Sequence, residues 1–203
     1  MVRLKSDERR DLIVQAAIRV IAGHGVAAAT TRAIVAEADM SLASFHYAFR
    51  SHAEMMRELI AYVVDAEVSA AFATVQPGHD IRTTIRDGMQ AYLDYVTADP
   101  GHEQVLFELF HYALRTPGLE PLAREQYEKY HQSVAQVVTG AAEVAGVRWR
   151  VLPAEVARLV VTFTDGITLA WLADRDLAAA ARCLDFAADS IAALATTHAE
   201  QEG

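Results

Sequence analysis

Two Glu-x-x-His pairs are the residues of this chain whose types and spacing best suit metal chemistry. They are Glu108 with His111 and Glu128 with His131. On a helix this spacing directs a carboxylate and an imidazole at one metal ion, as in di-iron carboxylate bundles, so an oxidase or a metal store is one hypothesis. Arg115 continues the polar face of the first pair and would repel a cation, and the two further carboxylates of such a site cannot be identified. A helical metal-binding protein is therefore kept only as the alternative.

Other catalytic patterns are incomplete. His102-Glu103 begins like a zinc-binding helix, but Leu106 stands where the second histidine belongs. The sequence has no glycine-rich phosphate loop, no nucleophile elbow and no paired cysteines. We therefore expect a protein that is not an enzyme, without catalytic residues, metal or cofactor.

Residues 30–54, TTRAIVAEADMSLASFHYAFRSHAE, are typical of two short helices separated by a tight turn and followed by a third helix. Thr31 and Ser41 are placed as N-caps, and Ser51 with Glu54 forms a capping box. The turn contains Asp39, Met40 and Ser41. A helix over about 42–48 would enter the major groove of DNA. Its exposed candidates are Ser41, Leu42, Ala43, Ser44, His46 and Tyr47.

An amphipathic helix precedes this segment. Two series of apolar residues recur every four positions and predict one buried helical face, which ends near residues 23–25. The two series are Leu12, Ala16 and Val20, and Ile13, Ala17 and Ile21. Three helices then share one small core.

The segment TTRAIVAEADMSLASFHYAF resembles the DNA-binding signature of TetR-family transcriptional regulators. The resemblance implies a helix-turn-helix domain over 1–50 and a helical ligand-binding and dimerisation domain over 51–203, linked by a helix over 51–75. It places Phe45 and Phe49 in the core. The DNA-binding residues it implies, together with those above, are Thr31, Arg32, Ser41, Leu42, Ala43, Ser44, His46, Tyr47 and His52.

Two positions depart from the family pattern. Asp39 stands where the family usually has a glycine that adopts positive φ, a conformation that aspartate tolerates better than most residues. His52 stands where a lysine commonly contacts phosphate, so a neutral imidazole would weaken that contact.

Charge is divided unevenly along the chain. Residues 1–60 contain eight Lys/Arg and seven Asp/Glu, a net charge of +1, whereas residues 61–203 contain ten and twenty, a net charge of −10. The first segment is thus the end that repels phosphate less. Arg3, Lys5, Arg9 and Arg10 form its densest basic cluster, which either follows the DNA backbone or minor groove or is a solvated tail.

The pattern of the remaining chain predicts an all-α fold of about nine helices, with no strand pattern and no repeat. Proline and glycine breaks delimit six helices after the helix-turn-helix. They are predicted at 51–75, 80–98, 102–115, 119–145, 154–174 and 177–198.

The last two of these helices predict a homodimer. Apolar residues surround the helix at 154–174, among them Val156, Leu159, Phe163 and Leu169, so it needs a second covering surface. The helix at 177–198 is rich in alanine, which permits close approach. A two-fold four-helix interface satisfies both.

A dimeric repressor that binds a palindromic operator and is released by a small molecule is the predicted function. Polar and aromatic residues on helices five to eight are the predicted ligand-binding set. They are Tyr92, Phe107, Phe110, His111, Tyr127, His131, Thr164, Asp165, Thr168 and Trp171. The lone Cys183 excludes an intrachain disulfide, and no apolar run reaches membrane-spanning length without interruption, so we expect a cytoplasmic protein that does not enter a membrane.

Overall fold

The computed structural model describes residues 6–72 and 79–197, without the side chains of 63–72, 126 and 197. The described residues form nine α-helices, which confirms the predicted all-α class. The helices are α1 (Ser6–His24), α2 (Thr31–Glu37), α3 (Leu42–Ala48), α4 (His52–Phe72), α5 (Ile81–Ala98), α6 (Pro100–Arg115), α7 (Glu120–Ala145), α8 (Pro153–Asp174) and α9 (Leu177–Ala192).

Local chemistry sets most of the helix ends. Asp99 accepts a hydrogen bond from the His102 backbone N–H, and Pro100 occupies the first turn of α6. Asp176 caps α9 in the same way, by accepting from Ala179. The predicted starts and ends of α5 to α8 therefore lie within about two residues of the observed ones, while predicted positions 73–75 of the fourth helix lie outside the described residues.

The chain also contains two short strands that the sequence analysis did not predict. Strand β1 (Val147–Trp149) pairs antiparallel with β2 (Ala195–Thr197). The prediction that the last helix continues to residue 198 was wrong, because α9 ends at Ala192. Strands of three residues are too short to give a recognisable alternation of apolar and polar residues.

The described chain divides into two compact units. Unit 1 comprises Met1–Asp65 and Asp99–Gln126, and unit 2 comprises Ala66–Ala98 and Tyr127–Gly203. In unit 1, α6 packs against α1 and against a 3₁₀ turn at Val26–Ala28. The functional division predicted at residue 50 stays a prediction. The core of unit 1 includes Ile13, Ile34 and Phe45, each at most 1% exposed.

Unit 2 has its own core, formed by α5, α8, α9 and the part of α7 that begins at Tyr127. Helix α9 packs along α5 and α8. Arg82 pairs with Asp189 and Arg86 with Asp185 across the α5–α9 contact, each at 2.7 Å.

Helix α8 is long and apolar enough to cross a membrane on length and composition, which no other described helix is. Charged residues such as Arg158 and Asp165 interrupt its apolar residues, as the sequence analysis expected. The same helix supplies Val156, Ala157 and Val161 to the core of unit 2, where all three are fully buried. Core helices pass the same test of length and composition, so this property is weak evidence for a membrane.

Candidate functional sites in the two units

Hydroxyl side chains cap the N-termini of both α2 and α3. Thr30, not the predicted Thr31, is the N-cap of α2 and accepts from the Ala33 N–H at 3.2 Å. Thr31 is the first helical residue, because Thr30 has the extended backbone that a cap requires. Ser41 caps α3 as predicted, by accepting from the Ser44 N–H at 3.2 Å. Asp39 has φ +51°, which confirms the conformation expected for it.

The start of α4 is fixed to the same small core. Ser51 accepts from the Glu54 N–H at 3.1 Å, as predicted, while the Glu54 carboxylate accepts from the Arg50 N–H instead of completing the box at Ser51. Backbone donation from Arg50, followed by the Arg10 guanidinium, lowers the pKa of Glu54. Arg10 also pairs with Glu58 and donates to the Ala48 carbonyl.

Arg10 is therefore part of the internal structure of unit 1. Its guanidinium stacks on the Phe49 ring at 4.4 Å, and its ion pair with Glu58 raises its pKa further. The sequence analysis left this cluster open between a DNA contact and a solvated tail. The bonds of Arg10 exclude the solvated tail for this residue, and a DNA contact stays a prediction. Arg9 lies over the Tyr47 ring at 5.5 Å, while Arg3 and Lys5 lie outside the described residues.

The predicted DNA-binding residues share one small region, α2, α3 and the start of α4. Tyr47 is 76% exposed, and Arg32, Ser41, Leu42, Ala43 and His46 are also exposed, whereas Thr31 and Ser44 are half-buried. Phe45 and Phe49, each 1% exposed, are in the core as predicted. We call the exposed α2–α3 residues the head surface. Its side chains provide hydroxyl, imidazole, guanidinium and phenol groups, all of which hydrogen-bond to phosphates or base edges.

His52 has a structural contact of its own. Its Nε2 donates to the Ala29 carbonyl at 2.7 Å, which ties the start of α4 to the segment before α2. The phosphate contact predicted for His52 stays a prediction, and it would have to be made while this bond holds the ring.

Glu108 connects α6 to the 3₁₀ turn that precedes α2. Its Oε2 accepts from the Val26 N–H at 2.7 Å. Gly25 has φ +78°, and a Cβ at that position would lie 3.4 Å from the same oxygen. The close approach and the positive φ both favour glycine here. Glu108 thus acts as a capping carboxylate for a turn 82 residues away in the sequence.

Unit 2 contains a cavity of about 60 Å³ between α5, α7 and α8. Its wall is mostly apolar, with hydroxyl groups from two threonines and two tyrosines. The lining residues are Thr84, Ile85, Gly88, Met89, Tyr92, Tyr130, Val134, Val137, Val138, Ala141, Val160 and Thr164. A space of this size holds a few water molecules, so a ring-sized ligand requires the walls to move apart.

The predicted ligand-binding residues fall into separate places. Tyr92 and Thr164 line the cavity, while Thr168 and Trp171 are buried in the core of unit 2. The Trp171 indole N–H has no hydrogen-bond partner among the described residues, and the Arg175 guanidinium lies 4.4 Å from its ring. Phe107, Phe110 and His111 belong to α6 in unit 1, and His111 is exposed.

The remaining three, Tyr127, His131 and Asp165, form one cluster between α7 and α8. The Tyr127 hydroxyl donates to Asp165 Oδ2, and the His131 ring packs edge-on against Tyr127 at 4.7 Å. Burial and the hydrogen bond to Asp165 raise the pKa of Tyr127. Burial also raises the pKa of Asp165, whereas burial and the charge of Arg158 lower the pKa of His131.

Most of the cavity wall was missed by the sequence analysis. Ile85, Met89, Val134 and Val138 are apolar residues on helical stripes, which sequence reasoning assigns to a core. Tyr130 was also missed, although it could have been predicted, because it lies one helical turn from the predicted Tyr127. The predicted set was limited to polar and aromatic residues, so it could not include a wall made chiefly of aliphatic side chains.

The outer face of α8 and α9 contains a second, open site. A groove of about 420 Å³ is lined by apolar and small residues of both helices, including Phe163, Gly166, Ala170, Cys183 and Phe186. Phe186 is 67% exposed and packs edge-on against Phe163. Contiguous exposed apolar surface is typical of interaction sites in soluble proteins.

The metal-binding alternative has no support in this geometry. Glu108 is bonded to Val26 in unit 1, and His131 packs on Tyr127 in unit 2. Across the described ranges 6–72 and 79–197, no three His, Cys, Asp or Glu residues are grouped so as to hold a metal ion.

Two family models match the chain, and together they cover most of it. Bacterial regulatory proteins of the tetR family match residues 13–59, and the C-terminal region of BetI-type transcriptional repressors matches residues 81–196. The HTH-type nicotine-responsive transcriptional repressor HdnoR of Paenarthrobacter nicotinovorans is 28% identical over 173 residues, which are 85% of this chain and 88% of HdnoR.

Solved structures agree in fold. The multidrug binding protein EbrR in complex with imidazole is 28% identical, with a TM-score of 0.65, over 93% of this chain and 96% of EbrR. EbrR has also been solved with malachite green. A TetR-family regulator of Mesorhizobium loti, 16% identical, has a TM-score of 0.76 over 96% of this chain and 100% of its own. Since the C-terminal model alone spans more than half of the chain and the head geometry is that of a helix-turn-helix, the chain belongs to the TetR family of bacterial regulatory proteins and is a ligand-responsive transcriptional repressor.

Proposed function

We propose that the protein represses transcription as a homodimer on a palindromic operator and leaves that operator when a small molecule enters the cavity of unit 2. The head surface supports the DNA-binding half of the proposal. There Ser41 caps α3 and Phe45 fixes it from below, so Tyr47 and the polar residues beside it face outward. A helix held by its buried face can present its other face to the major groove.

The head surface has little net charge, so affinity should depend on two copies of the head. Two recognition helices related by a two-fold axis would address half-sites about 34 Å apart, or a multiple of that distance. Selection of bound sequences from random DNA by the purified protein tests this proposal. We expect recovery of an inverted repeat, and no enrichment at low salt would contradict a DNA-binding role.

Single substitutions locate the DNA contacts. We expect Tyr47→Ala and Arg32→Ala each to weaken binding to the selected operator by about 1–3 kcal/mol, the range for a specific base contact. The matched control is Arg148→Ala, which removes an exposed arginine of unit 2. Unchanged operator affinity in both head variants would place the contacts elsewhere.

The groove on α8 and α9 is the proposed dimer interface. Phe186, Leu169 and Leu177 are each more than half exposed on these two helices. A second copy of the same face would cover them and form a four-helix interface. We expect Phe186→Glu to shift the protein to a monomer in sedimentation, whereas Leu114→Glu, at an exposed leucine of unit 1, should leave the dimer intact. A wild-type monomer at micromolar concentration would contradict the interface.

The cavity between α5, α7 and α8 is the proposed effector site. HdnoR responds to nicotine, and EbrR has been crystallised with imidazole and with malachite green, so nitrogen-containing ring compounds are the first candidates for this chain. Because the cavity is only about 60 Å³, a ring-sized effector must widen it. Widening gives the ligand different affinities for two states of the protein, which any ligand-driven switch requires.

Filling the cavity tests its role. Ala141 lines the cavity and is buried, so Ala141→Leu should occupy the space, abolish release of the operator by nicotine and leave DNA binding near wild type. Ala22→Leu, at an exposed position of α1 outside the head surface, is a control for the added side chain. Binding of nicotine without any change in operator affinity would contradict the proposed mechanism. A cytoplasmic location follows from the proposed role, because the operator is there.

A further inference from the structure

Asp165 is a partly buried carboxylate without a basic partner among the side chains that the structure describes. None of the observed ion pairs includes it. Its hydrogen-bond donor is the neutral Tyr127 hydroxyl, and burial raises its pKa. Carboxylates rarely tolerate burial unless they are paired, so this position is costly for the folded protein.

Aromatic rings lie beside this carboxylate on α7. The Tyr127 ring is 6.5 Å from the Tyr130 ring and 4.7 Å from the His131 ring, measured between centroids. Tyr130 lines the cavity, and so does Thr164, the residue that precedes Asp165 on α8. The cluster therefore adjoins the cavity wall. Aromatic faces attract cations by up to about 2 kcal/mol when the site is desolvated.

The other charged groups near the cluster do not neutralise Asp165. Burial and the charge of Arg158 lower the pKa of His131, which favours a neutral imidazole. Arg158 itself is exposed, so solvent screens its charge. A cation bound directly at Asp165 would lie in a drier environment, where opposite charges attract more strongly.

We propose that Asp165 binds a positively charged nitrogen of the effector, so that the natural effectors are small organic cations. The Tyr127 and Tyr130 rings would contact the cation, and the aliphatic wall formed by residues such as Val134 and Val138 would receive the apolar part. The Tyr127 hydroxyl satisfies the carboxylate until the cation arrives. The inference rests on the proposed effector site and adds the ligand's charge and the residue that selects it.

A pair of probes of equal shape isolates the charge. Phenyltrimethylammonium and tert-butylbenzene differ in a single atom, a quaternary nitrogen or a quaternary carbon. We expect calorimetric titration of the wild-type protein to give at least tenfold tighter binding of the cation. Asp165→Asn should lower the affinity for phenyltrimethylammonium by about ten- to hundredfold, the effect of losing one hydrogen bond to a charged group. Its affinity for tert-butylbenzene should change less than twofold.

Two further variants serve as controls. Asp94→Asn removes an exposed carboxylate of unit 2 and should leave the binding of both probes unchanged. Tyr127→Phe keeps the ring and removes the hydroxyl that competes for Asp165, so cation affinity should be equal to or above that of wild type. A tenfold loss in Tyr127→Phe would assign the selectivity to the phenol and overturn the role of the carboxylate.

Equal affinity of the wild-type protein for the two probes, or no binding of the cation at millimolar concentration, would overturn the inference even if Asp165→Asn failed to fold. An equal loss of affinity for both probes in a folded Asp165→Asn protein would also overturn the inference. The proposed function is tested separately by operator selection, which requires no ligand. If an inverted repeat were enriched but the two probes bound equally well, the proposed repressor function would be retained and only the cationic effector would be rejected.

Discussion

The head surface and the cavity of unit 2 are built in opposite ways. Contacts between near neighbours in the sequence position the head surface, such as Ser41 with Ser44 and Thr30 with Ala33. The cavity exists because α5, α7 and α8 contribute residues more than 70 positions apart, from Thr84 to Thr164. The head surface is therefore encoded locally, whereas a cavity of this kind depends on how helices pack.

We expect the largest loss of stability from a substitution in the core of unit 1, beneath the head surface. Phe45 is 1% exposed beneath the head surface, so Phe45→Ala should cost about 3–5 kcal/mol, the range for removing a buried phenylalanine. Operator binding should be lost. Trp149 and Trp171 both lie in unit 2, so their fluorescence reports on that unit while the head unfolds.

Urea unfolding followed by tryptophan fluorescence and by far-ultraviolet circular dichroism makes the comparison. We expect the two probes to separate in Phe45→Ala, with helix lost before the tryptophan signal changes. Coincident transitions shifted together to lower urea would mean that the two units unfold cooperatively, and the contrast between them would not extend to stability.

The accuracy of the sequence predictions follows the same division. Ser41 and Ser51 were predicted correctly because capping chemistry acts over a few residues. The positive φ of Asp39 and the burial of Phe45 were expected from the family resemblance. The misplacement of the cap at Thr31 is a choice between two adjacent threonines. Residue type could not separate them, because either hydroxyl can accept the bond.

We expect the next largest loss of stability from a contact in unit 1 between residues far apart in the sequence. The Glu108 carboxylate accepts from the Val26 N–H, so Glu108→Ala should leave a partly buried donor unsatisfied and cost about 1–3 kcal/mol. Glu108→Gln retains an acceptor oxygen and should cost less than half as much. Thermal unfolding and operator affinity measured on both variants test this.

The ordering of the two Glu108 variants is the informative result. If Glu108→Gln were as unstable as Glu108→Ala, the charge or the fit against Gly25 would matter more than the accepting oxygen. If neither variant changed stability, the bond would have no energetic role, and the head would depend on local contacts alone.

Packing explains what the sequence could not predict in unit 2. Val134, Val138 and Ile85 have the same residue types and spacing as any core stripe, so their position at a cavity depends on the separation of α7 from α5 and α8. Asp165 was among the predicted ligand residues because a carboxylate on an apolar helix is conspicuous. Its pairing with Tyr127, 38 residues away, had no local signal.

The smallest effect concerns the cost of keeping Asp165 in unit 2. Because burial raises its pKa in the folded protein, the folded state binds the Asp165 proton more tightly than the unfolded state does. Its contribution to stability is therefore fully present below the unfolded pKa of about 3.9 and is lost as pH rises through the higher folded value.

Asp165→Asn should consequently be more stable than wild type at pH 7, by about 1–2 °C in Tm, with a difference that shrinks as the pH falls towards 4. Calorimetric scans at several pH values, with Asp94→Asn as the exposed control, would measure it. If Asp165→Asn were instead less stable at pH 7, the ionised carboxylate would be contributing to the fold and not only waiting for a ligand. A gain that disappears in acid would mean that unit 2 retains a destabilising charge beside its cavity, a cost that the locally capped head surface does not carry and that ligand binding can explain.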